Sequence, residues 1–558
     1  MEKIIKIFSE HGTFVQPDTL EYILSQKDPY DFTYFIKDNL KEYPLVLTVN
    51  LIKEIEELGK IQEQTKKVEE SEENYVKEKE LQTRILSEMY DGQLKPKLEL
   101  EPEYDDIETE NEDDIGLSNE TEQKETKPIV IKKVKSWKPE AKEYDSEIKI
   151  IKDVTGNSLC EGKTTDFNKL FKDRFDSIKK ILRSQRWELK NTVSINRIKK
   201  TDMKDVQIIG MVKEVRNTKN GHRLIILEDE TDEAVCIALK QNRESYQIAQ
   251  ETILDEIIGI NGQLSKNGDL IVINNIIYPE ISITNERHRA EIPVYAAFLS
   301  DIHVGSKKFM QNQWNSFLKW INGQMGNKRQ SDVASKIKYV VIPGDVVDGI
   351  GIYPNQEKEL AIVDVYRQYE ELAKQLRNLP NHVSIIMQPG NHDAVRPAEP
   401  QPTFEKEIQE LFSDLDITFV GNPCYFSLND VEVLSYHGQS LLDYATNIQH
   451  LKYNDPVETM KIMLKKHHLA PTYGGYTPLA PENHDYMLID RIPDIFVTGH
   501  VHLAQISEYR GVTLINASSW QEQTSYQKML NFVPDSAKLP IVDLKTSNVT
   551  MMDFSNNK

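Results

Sequence analysis

The stretch of sequence that decides the fold is Lys338–Gly349, which reads KYVVIPGDVVDG. A short apolar run, YVVIP, ends at a glycine, and the two aspartates Asp345 and Asp348 follow it. Runs of this length that stop at a glycine turn are typical of buried strands in layered α/β sheets. In such sheets the ligand-binding side chains lie just beyond the carboxyl ends of the strands. We therefore expect both carboxylates at the edge of a sheet.

Four further apolar runs, one before this stretch and three after it, also end in polar motifs. These are Asp301-Ile302-His303-Val304-Gly305 after VYAAFLS, Gly390-Asn391-His392-Asp393 after VSIIMQP, His437-Gly438 after VEVLSY, and Gly499-His500-Val501-His502 after DIFVT. A single Asp-x-His is more often a turn or a cap, but five such motifs in one order are expected to converge on one crevice.

Histidines are concentrated in the same part of the chain, since 11 of the 13 lie between His288 and His502. Those outside the motifs are interpreted as surface or packing residues: His288, His382, His450, His467, His468 and His484.

The residue types in the motifs indicate a metal centre. Carboxylate, imidazole and amide groups without thiolates suit Mn²⁺, Fe²⁺ or Zn²⁺, and one bridging aspartate can hold two ions roughly 3.5–4 Å apart. Two such ions fit phosphoester hydrolysis. One ion lowers the pKa of a bound water, and both stabilise the charge that develops on the phosphoryl oxygens.

Length, charge and cysteine content limit the remaining possibilities. A chain of 558 residues is expected to form several domains. Its net charge of −21 has the wrong sign for nonspecific coating of nucleic acid, so any DNA contact must be local. The three cysteines lie far apart, which excludes a disulfide framework and a thiolate zinc site. Without a signal peptide or an apolar span, the sequence predicts a soluble, cytoplasmic protein with no membrane partner.

The amino-terminal quarter of the chain divides into two parts. Residues 1–58 have helical periodicity and predict a small helical domain. Residues 59–145 are predicted to form an acidic, disordered linker. Between Glu99 and Thr126 the chain has 13 acidic residues and one lysine, a block that repels itself and has little apolar surface to bury.

Order is predicted to resume with a strand and a helix over residues 146–200, where DFNKLFKDRFDSIKKILR (166–183) has helical spacing. Residues 201–285 contain five strand-like runs with Asn-Gly turns, which indicate a small β-barrel of the oligonucleotide/oligosaccharide-binding (OB) type. Barrels that bind single strands stack bases on aromatic side chains, whereas these runs are almost purely aliphatic. The pattern therefore favours a structural or subunit-contact role for the barrel over direct contact with nucleic acid.

The motifs DxH, GDxxDG, GNHD, HG and GHxH, in this order, resemble the calcineurin-like metallophosphoesterase superfamily. A more specific resemblance, from about Ser146 to Leu544, is to the small subunits of archaeal D-family DNA polymerases. It is carried by DIHVGSKKF, GDVVDGIGIYPNQEKELAIVDVYRQYE, PGNHDAVRPAEPQP and YQKMLNFVPDSAKLPIVDL, together with the barrel and the helix before it. The first 145 residues have no comparable resemblance.

The resemblance implies a multidomain α+β protein whose residues 286–558 form a calcineurin-like αββα sandwich. It further implies a 3′→5′ exonuclease that proofreads for a large polymerase subunit and hydrolyses DNA at single-stranded or mismatched 3′ ends. The implied cofactors are two divalent ions, Mn²⁺ first, with Fe²⁺, Zn²⁺ or Mg²⁺ as alternatives. A sliding clamp is a further candidate partner.

The site residues are carried over by position. One ion would be held by Asp301, His303, Asp345 and His502, and the other by Asp345, Asn391, His437 and His500. His392 would be the general acid or a stabiliser of the transition state, and Asp348 and Asp393 would orient the ligands. Two alternatives stay open, a non-catalytic scaffold subunit of the polymerase and a standalone DNA repair nuclease. Metal content and association with a large subunit would discriminate between them.

Overall fold

The structure of the protein is a computed structural model. The structure describes residues 14–15, 17–24, 26, 29–39, 46–47, 52, 137–198 and 204–555. The multidomain α+β prediction is confirmed, because a small amino-terminal unit and a large mixed unit are both present. No helix within these residues is long and apolar enough to cross a membrane.

The amino-terminal unit has two helices in its described part, Pro17–Leu24 and Pro29–Asn39. Two short strands, Phe14–Val15 and Val46–Leu47, pair in parallel. Three isoleucines, Ile23, Ile36 and Ile52, are fully buried together. The remainder of the predicted 1–58 domain lies outside the described residues.

The barrel is closed and has five strands, as the sequence predicted. In chain order its strands are Asp205–Asn217, Arg223–Glu228, Glu233–Ala238, Ile257–Leu264 and Ile271–Ile277. Closure pairs the first strand with the fourth and the third with the fifth, so the alternating apolar side chains fill one interior core. The sequence did not predict the helix Arg243–Gln250 between the third and fourth strands, which lies against the barrel wall.

The predicted helix before the barrel spans Thr164–Gln185. Its apolar face, Phe175, Ile178 and Leu182, packs on barrel residues and on Leu488. Short helices follow at Trp187–Leu189 and Ile195–Ile198, and the second closes one side of the barrel core.

Two six-stranded sheets make up the body of the large unit. The first sheet consists of Ile417–Phe419, Ser384–Gln388, Ile337–Pro343, Tyr295–Phe298, Lys538–Asp543 and Val549–Asp553, in that spatial order. The second consists of Gln505–Tyr509, Val512–Asn516, Ile495–Thr498, Val431–Ser435, Cys424–Leu428 and Ile148–Asp153. One apolar cluster contains side chains of both sheets, among them Phe298, Val341, Phe426 and Val497, so the sheets pack face to face.

Helices cover the outer faces of both sheets. Trp314, Leu318 and Leu372 belong to the core on the outer side of the first sheet. The described helices of this region are Gln311–Ile321, Lys328–Ser335, Gln356–Glu359 (a 3₁₀ turn), Val365–Leu376, Lys406–Glu410, Leu441–Asn447, Pro456–Lys466 and Ser525–Met529. Of these, Pro456–Lys466 packs on the second sheet.

Two predicted boundaries need correction. The linker was predicted to run to residue 145, but Trp137 packs beside Gly323 and residues Glu140–Glu143 form a 3₁₀ turn. The linker up to residue 136 lies outside the described residues. The strand Ile148–Asp153 was predicted to lead into the barrel, yet it pairs with Cys424–Leu428 at the edge of the second sheet. Sequence proximity to the barrel was misleading here, because pairing between such distant segments is set by tertiary packing.

Candidate metal centre

The five motif-bearing strands divide between the two sheets. Tyr295–Phe298, Ile337–Pro343 and Ser384–Gln388 are adjacent parallel strands of the first sheet. Val431–Ser435 and Ile495–Thr498 are adjacent parallel strands of the second. Because parallel neighbours end at the same edge, each sheet delivers its motifs to one side, and the two sets meet where the sheets face each other.

The loops that carry these motifs have an unusual backbone. Five candidate ligands have positive φ angles between 51° and 67°: Asp301, His303, Asp345, His500 and His502. Left-handed backbone at residues other than glycine costs free energy and is found mostly at functional sites, where the surrounding structure holds it. The loops therefore place these side chains at a cost that folding alone does not require.

Three candidate ligands form a first group. The Nε2 atom of His502 lies 3.3 Å from Asp301 Oδ1 and 3.1 Å from Nε2 of His303. These three side chains could hold a metal ion together, and all three are at least nine-tenths buried. Asp301 and His303 come from one motif and His502 comes from another, yet the ligand atoms of all three lie close together.

A second group consists of Asp345, His437 and His500. The Nε2 atom of His437 lies 3.3 Å from Asp345 Oδ2 and 3.0 Å from Oδ1 of Asn391. The asparagine therefore belongs to this group through its amide oxygen. The structure brings together the residues that the sequence assigned to the second ion.

Asp345 stands between the two groups. Its Oδ2 is 3.9 Å from Nε2 of His303, in the first group, and 3.3 Å from Nε2 of His437, in the second. The side chain is almost completely buried, and its Oδ1 accepts a hydrogen bond of 2.8 Å from the backbone N–H of His392. This arrangement is what a carboxylate shared by two ions requires.

The donor set fits a pair of divalent ions. His437 Nδ1 is 2.9 Å from the Pro343 carbonyl oxygen, which can only accept, so the Nδ1 proton is held there and Nε2 points toward Asp345. His303 Nδ1 likewise lies 3.1 Å from Asp348 Oδ1, which turns its Nε2 into the centre. Metal-binding histidines are usually oriented in this way by a carbonyl or a carboxylate on the other nitrogen.

Close backbone packing at the centre requires glycine at position 390. A Cβ on Gly390 would lie 2.2 Å from Asp345 Oδ1 and 2.7 Å from His437 Cε1. No side chain can be accommodated at such distances, so the glycine of the GNHD motif lets two candidate ligands approach the loop.

His392 lies outside these two groups, although its ring comes close enough to His303 and Asp348 for the three to form a third set that could hold an ion. Its Nδ1 is 2.8 Å from the Asp348 carbonyl oxygen, and its Nε2 is 3.9 Å from Asp345 Oδ2. The side chain is 15% exposed, whereas that of His437 is fully buried. An incoming substrate can therefore reach His392, which is partly exposed as His500 is.

Asp348 and Asp393 lie behind the candidate ligands. Asp348 Oδ1 accepts a 2.8 Å hydrogen bond from Gln521 Nε2, and the same oxygen lies 3.1 Å from Nδ1 of His303. Asp393 accepts hydrogen bonds from the backbone N–H of Gly390 and from the hydroxyl of Tyr369. Both aspartates thus hold the loops that carry the candidate ligands through hydrogen bonds, and their role as orienting groups stays a prediction.

Sequence reasoning missed several of these supporting side chains. Gln521, Gln356, Tyr369 and Gln527 contact Asp348, Asp393 or His502 but were not singled out. Tyr369, Gln356 and Gln527 lie inside segments quoted for the family resemblance, which was the available signal. Gln521 lies outside those segments, and nothing in its local sequence points to the site.

Electrostatics in the centre couple the charges strongly. Burial by itself would raise the pKa of Asp345, but the nearby His437 and His392 outweigh it and hold that pKa well below its usual range. Burial opposes the proton on His437, yet Asp345 raises the pKa of this histidine to about 10. Burial lowers the pKa of His500 to about 3, and burial together with Asp345 raises the pKa of Asp393 to about 7. The site therefore keeps Asp345 ionised and His500 neutral, the forms that bind metal, whereas His437 is held protonated by Asp345 and would release that proton on binding an ion.

The histidines outside the motifs have other environments. His468 is buried against Asp485 at 2.9 Å, and His467 is buried beside the Glu280 carbonyl. His288 and His484 pair with Asp494 and Asp173 near the surface. None of them belongs to a candidate metal group among the described residues.

Comparison with known proteins places the chain in a family. A sequence profile for the B subunits of DNA polymerases alpha and epsilon matches residues 296–507. The DNA polymerase II small subunit of Methanocaldococcus jannaschii is 42% identical over 407 residues, which cover 72% of this chain and 68% of that protein. The corresponding protein of Archaeoglobus fulgidus is 44% identical over 388 residues, or 69% of this chain and 77% of that protein. The corresponding protein of Methanothermobacter thermautotrophicus is 40% identical over 414 residues, which cover 74% of this chain and 84% of that protein. The chain belongs to the family of archaeal DNA polymerase II small subunits.

Proposed function

We propose that this protein is a metal-dependent 3′→5′ exonuclease that removes nucleotides from DNA ends for a large polymerase subunit. The observation that carries the proposal is the position of Asp345 between two groups of candidate ligands. Asp301, His303 and His502 are buried on one side, and on the other side His437 is buried while Asn391 and His500 are partly exposed. A purely structural subunit has no need to keep such a set of coordinating side chains in strained backbone.

Two divalent ions, Mn²⁺ first and Fe²⁺, Zn²⁺ or Mg²⁺ as alternatives, would supply an ionised water and positive charge for the phosphoryl oxygens. The side chains of the two groups would hold these ions. His392, exposed at the entrance beside Asp345, would donate a proton from Nε2 to the leaving oxygen. Asp348 and Asp393 would keep the ligand loops in position through their hydrogen bonds.

The fold supports the same function. The closed five-stranded barrel is consistent with an OB-type domain, and the two packed sheets with helices outside are consistent with a calcineurin-like sandwich. None of the five described barrel strands contains an aromatic residue. Their composition favours contact with another subunit over base stacking. The large polymerase subunit is the proposed partner, DNA 3′ ends are the substrate, and a sliding clamp is a further partner to test.

The test is Mn²⁺-dependent digestion of 5′-labelled single-stranded and mismatched primers, with and without the large subunit. We expect stepwise shortening of the labelled strand and binding of two Mn²⁺ per chain by calorimetry. His500→Ala should abolish the shortening and lower the number of bound Mn²⁺, whereas the control His450→Ala, at an exposed histidine outside these motifs, should change neither.

Each alternative predicts a different result. Intact DNA together with no Mn²⁺ binding would contradict the proposal and indicate a non-catalytic scaffold. Digestion by a chain that does not associate with a large subunit would indicate a standalone repair nuclease. Release of short labelled products would show the opposite polarity of cleavage.

A further inference from the structure

Two tyrosines at the mouth of the metal centre form a stacked pair. The rings of Tyr353 and Tyr526 have centroids 5.6 Å apart and planes inclined by 24°. The ring of Tyr353 also lies 6.5 Å from that of His392, the candidate acid. Both tyrosines are partly exposed, so this tyrosine pair presents aromatic surface beside the place where a leaving group would be protonated.

The tyrosine pair is connected to the metal centre by a glutamine close to each tyrosine in the sequence. Gln356, three residues after Tyr353, donates a 2.7 Å hydrogen bond to the Asp348 carbonyl oxygen. Gln527, directly after Tyr526, places its amide 3.1 Å from His502 Nδ1. Both segments are therefore held against side chains of the metal centre, and the aromatic surface has a defined position relative to the site.

The hydroxyl of Tyr353 lacks an internal partner. It is buried and makes no hydrogen bond with the described residues. Burial, with the charges of Asp348 and Glu359, raises the pKa of Tyr353, so the hydroxyl stays a proton donor. An unpaired buried donor costs free energy that an incoming acceptor would recover.

A nuclease that acts on strand ends needs a surface for the base next to the bond it cuts. Stacking on aromatic rings is worth about 1–3 kcal/mol per base and accepts any base. The described barrel strands contain no aromatic side chain, so these strands do not offer that surface. The tyrosine pair lies instead at the metal centre itself.

We propose that the Tyr353–Tyr526 pair binds the unpaired terminal base of the DNA strand by stacking, while the Tyr353 hydroxyl donates to an oxygen of the same nucleotide. This inference rests on the proposed exonuclease function and specifies its substrate as an unstacked, single-stranded end. A base that remains paired is held by its partner strand, so the tyrosine pair would favour frayed or mismatched ends.

The experiment measures equilibrium binding of the full-length protein by fluorescence anisotropy, in Ca²⁺, to two single strands with a phosphorothioate terminal linkage. One strand ends in adenosine and the other ends in an abasic sugar. We expect wild type to bind the adenosine end at least roughly fivefold more tightly. Tyr353→Leu and Tyr526→Leu, which keep apolar bulk but remove the ring, should bring this ratio close to one.

Two further variants separate stacking from other effects. Tyr353→Phe should weaken binding of both strands by roughly two- to tenfold and keep their ratio, because it removes only the hydroxyl. The control Tyr473→Ala removes a half-exposed tyrosine that packs on Phe167 and Phe171, and it should leave the ratio unchanged. Melting temperatures check that each variant is folded. The two leucine substitutions are in separate segments of the chain.

A wild-type ratio near one, or an unchanged ratio in both leucine variants, would overturn the inference. Failure of the proposed function looks different. If the protein prefers the adenosine end through Tyr353 and Tyr526 but does not cleave DNA in Mn²⁺, the stacking inference stands. The proposed exonuclease function would then be wrong.

Discussion

Replacing Arg174 with methionine is expected to loosen the helix Thr164–Gln185 from the rest of the large unit. Arg174 and Asp485 are each 1% exposed, and Arg174 Nε donates to Asp485 Oδ2 over 2.7 Å. The same guanidinium donates to the carbonyl oxygens of Asp255, at the barrel, and of Pro471. One side chain therefore joins the helix, the barrel and the segment that precedes the last motif.

The magnitude follows from burial. Removing one partner of a buried ion pair costs about 3–5 kcal/mol, because the other charge is left without compensation. Methionine keeps most of the apolar volume, so the loss is mainly electrostatic. His468, 2.9 Å from Asp485, can take up a proton and offset part of the loss at low pH. We therefore expect the upper end of this range at pH 8 and the lower end at pH 5.

The measurement is native-state hydrogen exchange of the helix, which reports local opening without assuming two-state unfolding of a multidomain chain. Protection should fall by roughly 10³- to 10⁴-fold at pH 8. The control Arg377→Met breaks an exposed pair with Asp414, 42% and 56% exposed, and should cost no more than about 1 kcal/mol. Protection of the Arg174→Met helix within tenfold of wild type would refute the reasoning.

Three further predictions concern the metal centre and pH. Asp345→Asn should lose both Mn²⁺ sites in calorimetry and slow DNA cleavage by at least roughly 10²-fold, since it removes the shared charge; retention of two bound ions would contradict the bridging role. His392→Ala should slow cleavage by about 10²–10⁴-fold and keep both ions, whereas His437→Ala should lower metal occupancy; rescue of His392→Ala by excess Mn²⁺ would make His392 a ligand. Burial lowers the pKa of His468 to about 4, below its unfolded value of about 6.5, so its contribution is complete above pH 6.5 and is lost as pH falls through 4. Stability should fall by up to about 3 kcal/mol over that window, and His468→Gln should flatten the curve in urea titrations at each pH.

The sequence by itself determined the elements whose signals are local. The barrel strand Val206–Val215 was predicted from its apolar run and lies within the observed Asp205–Asn217, and the helix predicted at 166–183 spans Thr164–Gln185. Apolar runs, turn glycines and helical spacing act between near neighbours, so they can be read without knowledge of the fold. The types and order of the ligands in the five motifs are likewise local, and the structure brings those side chains together.

Only the tertiary structure decided how distant segments combine. The division of five similar strands into three of one sheet and two of another depends on pairing partners, which an apolar run does not specify. The strand Ile148–Asp153 precedes the barrel in sequence but pairs with Cys424–Leu428, which follows it. Trp137 also precedes the barrel, yet it packs beside Gly323. Gln521 reaches Asp348 across 173 positions of sequence, and Tyr526 stacks on Tyr353 in the same way. These contacts exist because two sheets pack face to face and bring loops from both ends of the region to one edge, a geometry that no single stretch of sequence contains.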